Sequence, residues 1–116
     1  MSLQLKREDW SAFFQWVTRT LAGALAEIEV ASLAIGHQVQ TEWVTLLGVT
    51  YDDDDDLVEI ALPGLDHMIH HPREIFVDED AFGLIAIDII DKDGVHQIIR
   101  FKHPLLLPSP DSPPAH

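Results

Sequence analysis

A histidine-rich segment near the middle of the chain has the residue types that most often bind metal ions. It reads Asp66-His67-Met68-Ile69-His70-His71, and imidazole is the commonest protein ligand for transition metals. On a helix, His67 would share a face with His70 or His71, three and four residues further on. Asp66 could add a third ligand or hold one imidazole tautomer. The segment therefore predicts a small-molecule or metal-binding module at Asp66, His67, His70 and His71, in which the ion would be a divalent metal.

A structural role is the alternative interpretation of the same segment. No glutamate lies between the histidines, as it does in a zinc-protease helix, and Pro72 closes the segment. Met68 and Ile69 could anchor it to the core. The polar side chains of Asp66 and His67 would then bond backbone groups of a turn.

Five consecutive aspartates, Asp52 to Asp56, form a second group of potential ligands. Calcium binds carboxylate oxygens, but an EF-hand loop needs Gly at its sixth position and Glu at its twelfth. Counted from Asp52, those positions are Leu57 and Pro63. The run is typical of a solvated loop between strands, with a mutual repulsion that added salt screens.

The pattern predicts no enzymatic activity. A nucleophile needs a base and an orienting group, yet no hydroxyl lies in a Gly-x-Ser-x-Gly turn and no Gly-rich phosphate loop occurs. The chain has no cysteine, which removes thiol catalysis, iron–sulfur clusters and disulfides. No cofactor is expected apart from the metal considered above.

The charge balance restricts the partners. The 116 residues include 20 acidic and 7 basic side chains, a formal net charge of -13, which repels phosphate backbones and anionic membranes. No apolar run approaches the roughly 20 residues of a membrane span, and the first ten residues do not resemble a signal peptide. We therefore expect a cytoplasmic protein that binds neither nucleic acid nor membrane.

The secondary structure begins with an amphipathic helix from Arg7 to Ala22. Its apolar stripe consists of Trp10, Phe13, Phe14, Val17 and Leu21, and Gly23 follows its end. From Leu25 the apolar period changes to two, which indicates strands. The predicted strands start at Leu25, run from Val39 to Val49 and from Leu57 to Leu62, and include a short one from Glu74 to Val77.

A hairpin of Leu84–Asp91 and Val95–Lys102 follows. A two-residue Asp93-Gly94 turn would mix charged and apolar residues on both faces. A three-residue loop with Gly94 in the left-handed conformation instead pairs Ile85 with Phe101 and Ile87 with Ile99. The second face of this hairpin is also partly apolar, so it needs cover from the helix or from a partner chain.

The chain ends in a proline-rich segment, since Pro104 to His116 contain five of the seven prolines. We expect one domain over 1–103 and an extended tail over 104–116. A small core does not need a further apolar run such as Leu105, Leu106 and Leu107. This run therefore predicts an interface. The leading hypothesis is a non-catalytic interaction domain that forms a homo-oligomer, such as a dimer, or binds another protein.

Several segments resemble one small bacterial family known only as a domain of unknown function. They are Trp10-x-x-Phe13-Phe14, Gly48-Val49-Thr50-Tyr51-Asp52, Leu65-Asp66-His67-Met68-Ile69 with Pro72-Arg73-Glu74-Ile75, and Asp93-Gly94-Val95 with Pro104-Leu105. The likeness covers about residues 7 to 108, and Asp53, Asp54 and Asp55 depart from it. The resemblance implies no catalytic residue.

These elements together predict an α+β fold. The N-terminal helix would pack on a curved antiparallel sheet or small half-open barrel of about five or six strands. The expected core adds to the helix stripe Ile28, Val30, Leu46, Ile60, Ile85, Ile87, Ile99 and Phe101.

Overall fold

The computed structural model describes residues 2–32 and 36–106 as a mostly antiparallel β structure with one α-helix. A short 3-10 turn, Arg7–Asp9, leads into the helix α1 at Trp10–Thr20. No described helix is long and apolar enough to span a membrane. The strands are β1 (Ser2–Gln4), β2 (Leu25–Ser32), β3 (Gly36–Thr45), β4 (Gly48–Asp52), β5 (Leu57–Leu62), β6 (Leu65–His70), β7 (Pro72–Asp80), β8 (Gly83–Asp91) and β9 (His96–Leu105).

The helix stripe read from the sequence is the buried face of α1. Trp10, Phe14 and Val17 are at most 1% exposed, and Phe13 is 9% exposed. The predicted helix started three residues too early, because Arg7–Asp9 forms the 3-10 turn, and its last two residues lie beyond Thr20. The amphipathic spacing therefore identified the correct face, while the ends shifted by a few residues.

The strands form two separate open sheets. A six-stranded sheet has the order β1-β7-β8-β9-β2-β3, and a three-stranded sheet has the order β4-β5-β6. Every described pairing is antiparallel. The α+β class is confirmed in this coarse form, but the described residues form nine strands in two sheets in place of the single sheet of five or six. The predicted Val39–Val49 strand is wrong, because it is divided between β3 in one sheet and β4 in the other.

The core lies between the two sheets and α1. One contiguous cluster joins the apolar side of α1, the three-stranded sheet and one face of the six-stranded sheet. We call that face the inner face and the opposite one the outer face. Most of the expected core residues are buried, but Val30 and Ile85 are only half-buried. The members that both sheets contribute include Ile28, Val49, Val58, Ile60, Ile69, Ile75, Val77, Ile87, Ile89 and Ile99.

The register of the last hairpin follows the three-residue loop. Gly94 has a φ of 79°, and its N–H donates to the carbonyl of Asp91 at 3.0 Å, as a type I turn followed by a left-handed residue requires. Ile87 lies opposite Ile99, as predicted, and Asp88 lies opposite Ile98. The Ile85–Phe101 pair does not form, because a bulge between Leu84 and Ala86 shifts the register there.

The last strand continues beyond the predicted boundary at His103. β9 includes Pro104 and ends at Leu105, which pairs with Leu84. Proline is tolerated at this position because the pairing there is irregular. The predicted tail over 104–116 therefore begins inside the sheet, and its residues 107–116 lie outside the described residues.

Candidate functional site

The histidine-rich segment is a strand, so the expected helical arrangement of its histidines is wrong. Asp66, Met68 and His70 are exposed along β6, while His67 is half-buried and Ile69 is fully buried. Side chains alternate between the two faces of a strand, so His67 and His70, three positions apart, point to opposite faces. The spacing that suggested one metal-binding face thus separates the two imidazoles.

Three of the four predicted site residues are engaged in different places. His67 Nε2 lies 2.6 Å from Gln97 Oε1, and the Gln97 amide donates to Asp91 Oδ2 at 3.1 Å. Since this amide nitrogen is a donor, Gln97 Oε1 accepts from His67 Nε2–H. His71 Nδ1 lies 3.2 Å from Asp56 Oδ2. The link through Gln97 joins the three-stranded sheet to the last hairpin.

Asp66 is placed beside a second carboxylate. It shares a hydrogen bond with Glu59 on the neighbouring strand β5, and this bond, the negative charge of Asp66 and slight burial raise the pKa of Glu59. A raised pKa means that the folded state favours a proton shared by this pair. The stability that the pair contributes is therefore lost as the pH rises through the raised pKa of Glu59. The structure therefore distributes Asp66, His67 and His71 over separate contacts.

A polar cluster that the sequence did not indicate lies at the start of the helix. Arg7 donates from Nη1 to the Tyr51 hydroxyl at 3.2 Å and to Asp56 Oδ1 at 3.4 Å, and from Nη2 to the carbonyl of Pro72 at 3.0 Å. Its guanidinium carbon lies 4.3 Å from the centroid of the Trp10 ring, a cation–π distance. The Tyr51 hydroxyl donates to Asp56 Oδ1 at 2.8 Å. We call Arg7, Tyr51, Asp56 and His71 the Arg7 cluster.

The cluster shifts the pKa of two of its members. Burial by itself would raise the pKa of Asp56, but the hydrogen bonds from Tyr51 and His71 and the Arg7 charge outweigh it, so the pKa is lowered. Burial and the bond to Asp56 raise the pKa of Tyr51. Each member has its partner within the group, which identifies a structural tie between the chain start and the three-stranded sheet. A cleft of about 390 Å³ opens beside it, lined by Arg7, Glu8, Ser11, Tyr51, Asp53 and Asp56.

The aspartate run is divided between two roles. Asp52 Oδ1 accepts from the backbone N–H of Asp54 at 2.9 Å and of Asp55 at 3.3 Å, which holds the turn. Asp56 has a φ of 49°, a conformation that aspartate tolerates better than most residues, and it belongs to the Arg7 cluster. Oxygens of Asp52, Asp53 and Asp54 lie within 4.8 Å of one another, and all three residues are exposed. Such exposed acidic groups commonly bind no ion.

The outer face of the six-stranded sheet is the second surface with mixed chemistry. Its outward positions include Phe76 and Ile98, which are half-buried, and Ala86 and Ile90, which are 8% exposed. They line a shallow depression of about 410 Å³ together with Ser2, Val77, Asp78, Asp88, His96 and Arg100. Because α1 packs within the core cluster on the inner face, the helix does not cover this surface.

The charged groups of the outer face are arranged in pairs. His96 Nδ1 lies 2.9 Å from Asp88 Oδ2, and Arg100 Nη2 lies 3.5 Å from Glu29 Oε2. Glu29 is itself only 9% exposed. The outer face therefore combines apolar side chains with charges that are already compensated locally.

The leucines of the predicted interface differ in burial. Leu105 belongs to the core of its own chain and is 8% exposed, so it is not available to a partner. Leu106 is 76% exposed, and Leu107 lies outside the described residues. The sequence missed this difference because the apolar run gives no period from which a buried member could be distinguished.

Over residues 2–32 and 36–106, two open antiparallel sheets and one α-helix define an α+β fold in which polar side chains mainly connect different elements. The chain belongs to the family of unknown function DUF5335, whose family model matches residues 1–110. An uncharacterized protein of Aquifex aeolicus (strain VF5) is 36% identical over 105 residues, which cover 90% of this chain and 95% of that protein. The predicted bacterial family without a known function is thereby confirmed. No solved structure matches the chain significantly.

Proposed function

We propose that this protein is a non-catalytic cytoplasmic interaction domain that associates with a second copy of itself. The observation that carries the proposal is the six-stranded sheet, whose outer face is not covered by α1 and whose β3 edge has no neighbouring strand among the described residues. An antiparallel sheet with one wet face normally alternates between apolar inward and polar outward residues. Here Phe76 and Ile98, both half-buried, occupy outward positions, which supports a partner on an open surface of this sheet.

The state of the polar groups supports a binding role over catalysis. Within the described residues, the Arg7 cluster is internally bonded, and the Thr18 hydroxyl is used by the backbone of Val49. The Thr20 hydroxyl donates to the carbonyl of Trp16. A catalytic nucleophile needs an adjacent free base instead. These contacts give the Arg7 cluster, Thr18 and Thr20 structural roles in the fold.

The small-molecule or metal-binding alternative has weaker support. His67 donates through Nε2 to Gln97, His71 contacts Asp56, and Asp66 shares a bond with Glu59. Among the described residues, none of the four predicted site side chains belongs to a group of three or more potential ligands whose atoms lie within 4.8 Å of one another. The proposed cytoplasmic location fits the lack of cysteine in the chain, because the protein needs no oxidising compartment for disulfide formation.

Native mass spectrometry of untagged protein, purified without chelators and measured at micromolar concentration, tests the proposal. We expect a species of twice the 13.0 kDa chain mass, without a stoichiometric adduct. A monomer across the micromolar range would overturn self-association. A stoichiometric metal adduct that disappears in His67→Ala would instead favour the binding-module alternative.

A further inference from the structure

We propose that the exposed edge of strand β3 is the contact of this association. β3 of one copy pairs antiparallel with β3 of a second copy about a two-fold axis. The inference rests on the proposed self-association and specifies its geometry. Such pairing would join two six-stranded sheets into one continuous sheet.

A comparison of the four sheet edges singles out β3. Exposed edges offer unpaired backbone N–H and C=O groups, and proteins usually shorten, cover or charge them. The β1 edge is only three residues long. The β4 edge is covered by α1, because the Thr18 hydroxyl donates to the Val49 carbonyl at 2.9 Å and accepts from its N–H at 3.0 Å.

The β6 edge is protected by charge. Asp66 on β6 is exposed and shares a hydrogen bond with Glu59 on β5, so two carboxylates already lie side by side there. A second acidic chain brought against this edge would add to that repulsion. β3, by contrast, ends its sheet, so none of the described residues pairs with its outer side over ten residues.

The charge distribution favours a second copy at β3. Glu42 is the only Asp, Glu, Lys or Arg in the sequence between Glu29 and Asp52, although the whole chain carries a net charge of -13. Two identical acidic molecules repel each other least where their charges are fewest. β3 also contains no lysine, arginine or proline, which often prevent edge pairing, and its register shifts against β2 leave the pairing regular from Gly36 to Val39.

Two exposed side chains on β3 supply apolar surface for the contact. Val39 is 47% exposed and Trp43 is 41% exposed. Trp43 also has a φ of 38°, which a bulky residue adopts only at a cost. It lies where the β2–β3 register shifts, and a bulge of this kind redirects a side chain. Tryptophan is among the residues most enriched at the energetic centre of interfaces.

The first test places a charge on the edge. Val39→Glu would add one glutamate from each copy to the contact, while Met68→Glu places the same charge on the β6 edge at a residue that is 46% exposed. We expect Val39→Glu to raise the dimer dissociation constant about ten-fold or more, and Met68→Glu to change it far less. Sedimentation equilibrium gives both constants, and circular dichroism confirms that each variant is folded.

The second test uses the absence of cysteine from the chain. Gln38→Cys and Glu42→Cys each introduce one thiol along β3, whereas Met68→Cys and Leu3→Cys introduce one on the other exposed edges. Under mild oxidation we expect a disulfide dimer to form fastest at one β3 position, the one nearest the axis, since a disulfide needs Cα atoms about 4.4–6.8 Å apart. The two control positions report random collision.

The outcomes separate this inference from the proposed function. A monomeric wild-type protein would refute both. A wild-type dimer that survives Val39→Glu and shows no cross-linking preference for β3 would refute only the edge contact. If Ile98→Glu on the outer face then dissociates that dimer, the copies associate face to face and the proposed function stands.

Discussion

Asp56 connects three side chains that come from distant parts of the chain. It accepts hydrogen bonds from Tyr51 and Arg7 and contacts His71. It therefore joins the turn before the helix to the end of β4 and to the residue that follows β6. Its lowered pKa means that the ionised form is favoured in the folded protein. The contribution to stability is present above its ordinary value of 3.8 and is lost as pH falls through the lowered pKa.

Asp56→Asn should therefore destabilise the protein near neutral pH. We expect a lower urea midpoint than that of the wild type at pH 7, and a difference that shrinks as the pH is taken below about 3.8. Asp55→Asn is the matched control, because Asp55 is an exposed neighbour in the same acidic run. A midpoint for Asp56→Asn equal to that of the control at pH 7 would show that the Arg7 cluster does not hold the fold.

Phe13 tests whether the apolar stripe of the helix is the core-facing one. It is 9% exposed and lies edge-to-face against Phe14, with ring centroids 5.7 Å apart. Phe13→Ala should lower the free energy of unfolding by about 3–5 kcal/mol, as large-to-small changes in cores do. Phe82→Ala removes the same group from a side chain that is 71% exposed and should have little effect. Equal urea midpoints for the two variants would contradict the assigned face.

At the scale of elements, the β7–β8 connection depends on a close backbone contact. Gly83 has a φ of 137°, and a Cβ there would clash with the Leu105 carbonyl oxygen. Gly83→Ala must therefore displace the end of β9, which carries Leu105 into the core. Gly64→Ala is the control, since its φ of 71° is also left-handed but nothing lies within 4 Å of the added Cβ.

The comparison of the two glycine variants isolates the steric part. Gly64→Ala should cost only the conformational penalty, about 1–2 kcal/mol, and Gly83→Ala should cost clearly more. Thermal unfolding measured in parallel decides between them. Similar midpoints would mean that β9 moves aside without loss, and that Leu105 contributes little to the core.

Local sequence patterns predicted an element correctly where turn residues and apolar spacing indicated the same structure. The β8–β9 loop was predictable because turn chemistry at Gly94 and apolar pairing of Ile87 with Ile99 selected one register. β5 matches the predicted Leu57–Leu62 strand. β6 was missed because Asp66 to His71 fit a helical spacing of histidines as well as they fit a strand, and short segments do not distinguish the two.

The interactions that escaped prediction connect residues far apart in sequence. Arg7 and Pro72 are 65 positions apart, and His67 and Gln97 are 30 apart. No periodicity reports such pairs, because they depend on how the two sheets are placed. The division of the predicted second strand between two sheets has the same origin, since the apolar pattern continues through the break before Gly48.

For the whole molecule, the net charge of -13 makes both folding and self-association depend on the salt concentration. Repulsion among the acidic residues opposes both the compact chain and the approach of a second copy. Salt screens it, because the Debye length falls from about 30 Å at 0.01 M to about 10 Å at 0.1 M. An interface formed by a low-charge edge gains from this screening, whereas one held by ion pairs across the contact is weakened.

Association should therefore strengthen as salt is added. We expect the dimer dissociation constant to fall as NaCl is raised from about 0.01 M to about 0.5 M, a range over which the screening length becomes shorter than the separation of most surface charges. Sedimentation velocity at several NaCl concentrations measures this directly. Asp53→Asn combined with Asp54→Asn removes two exposed charges and should make the dependence shallower. A dimer that dissociates as NaCl rises would instead indicate that charge pairs between copies hold it, which the single charge on β3 cannot supply.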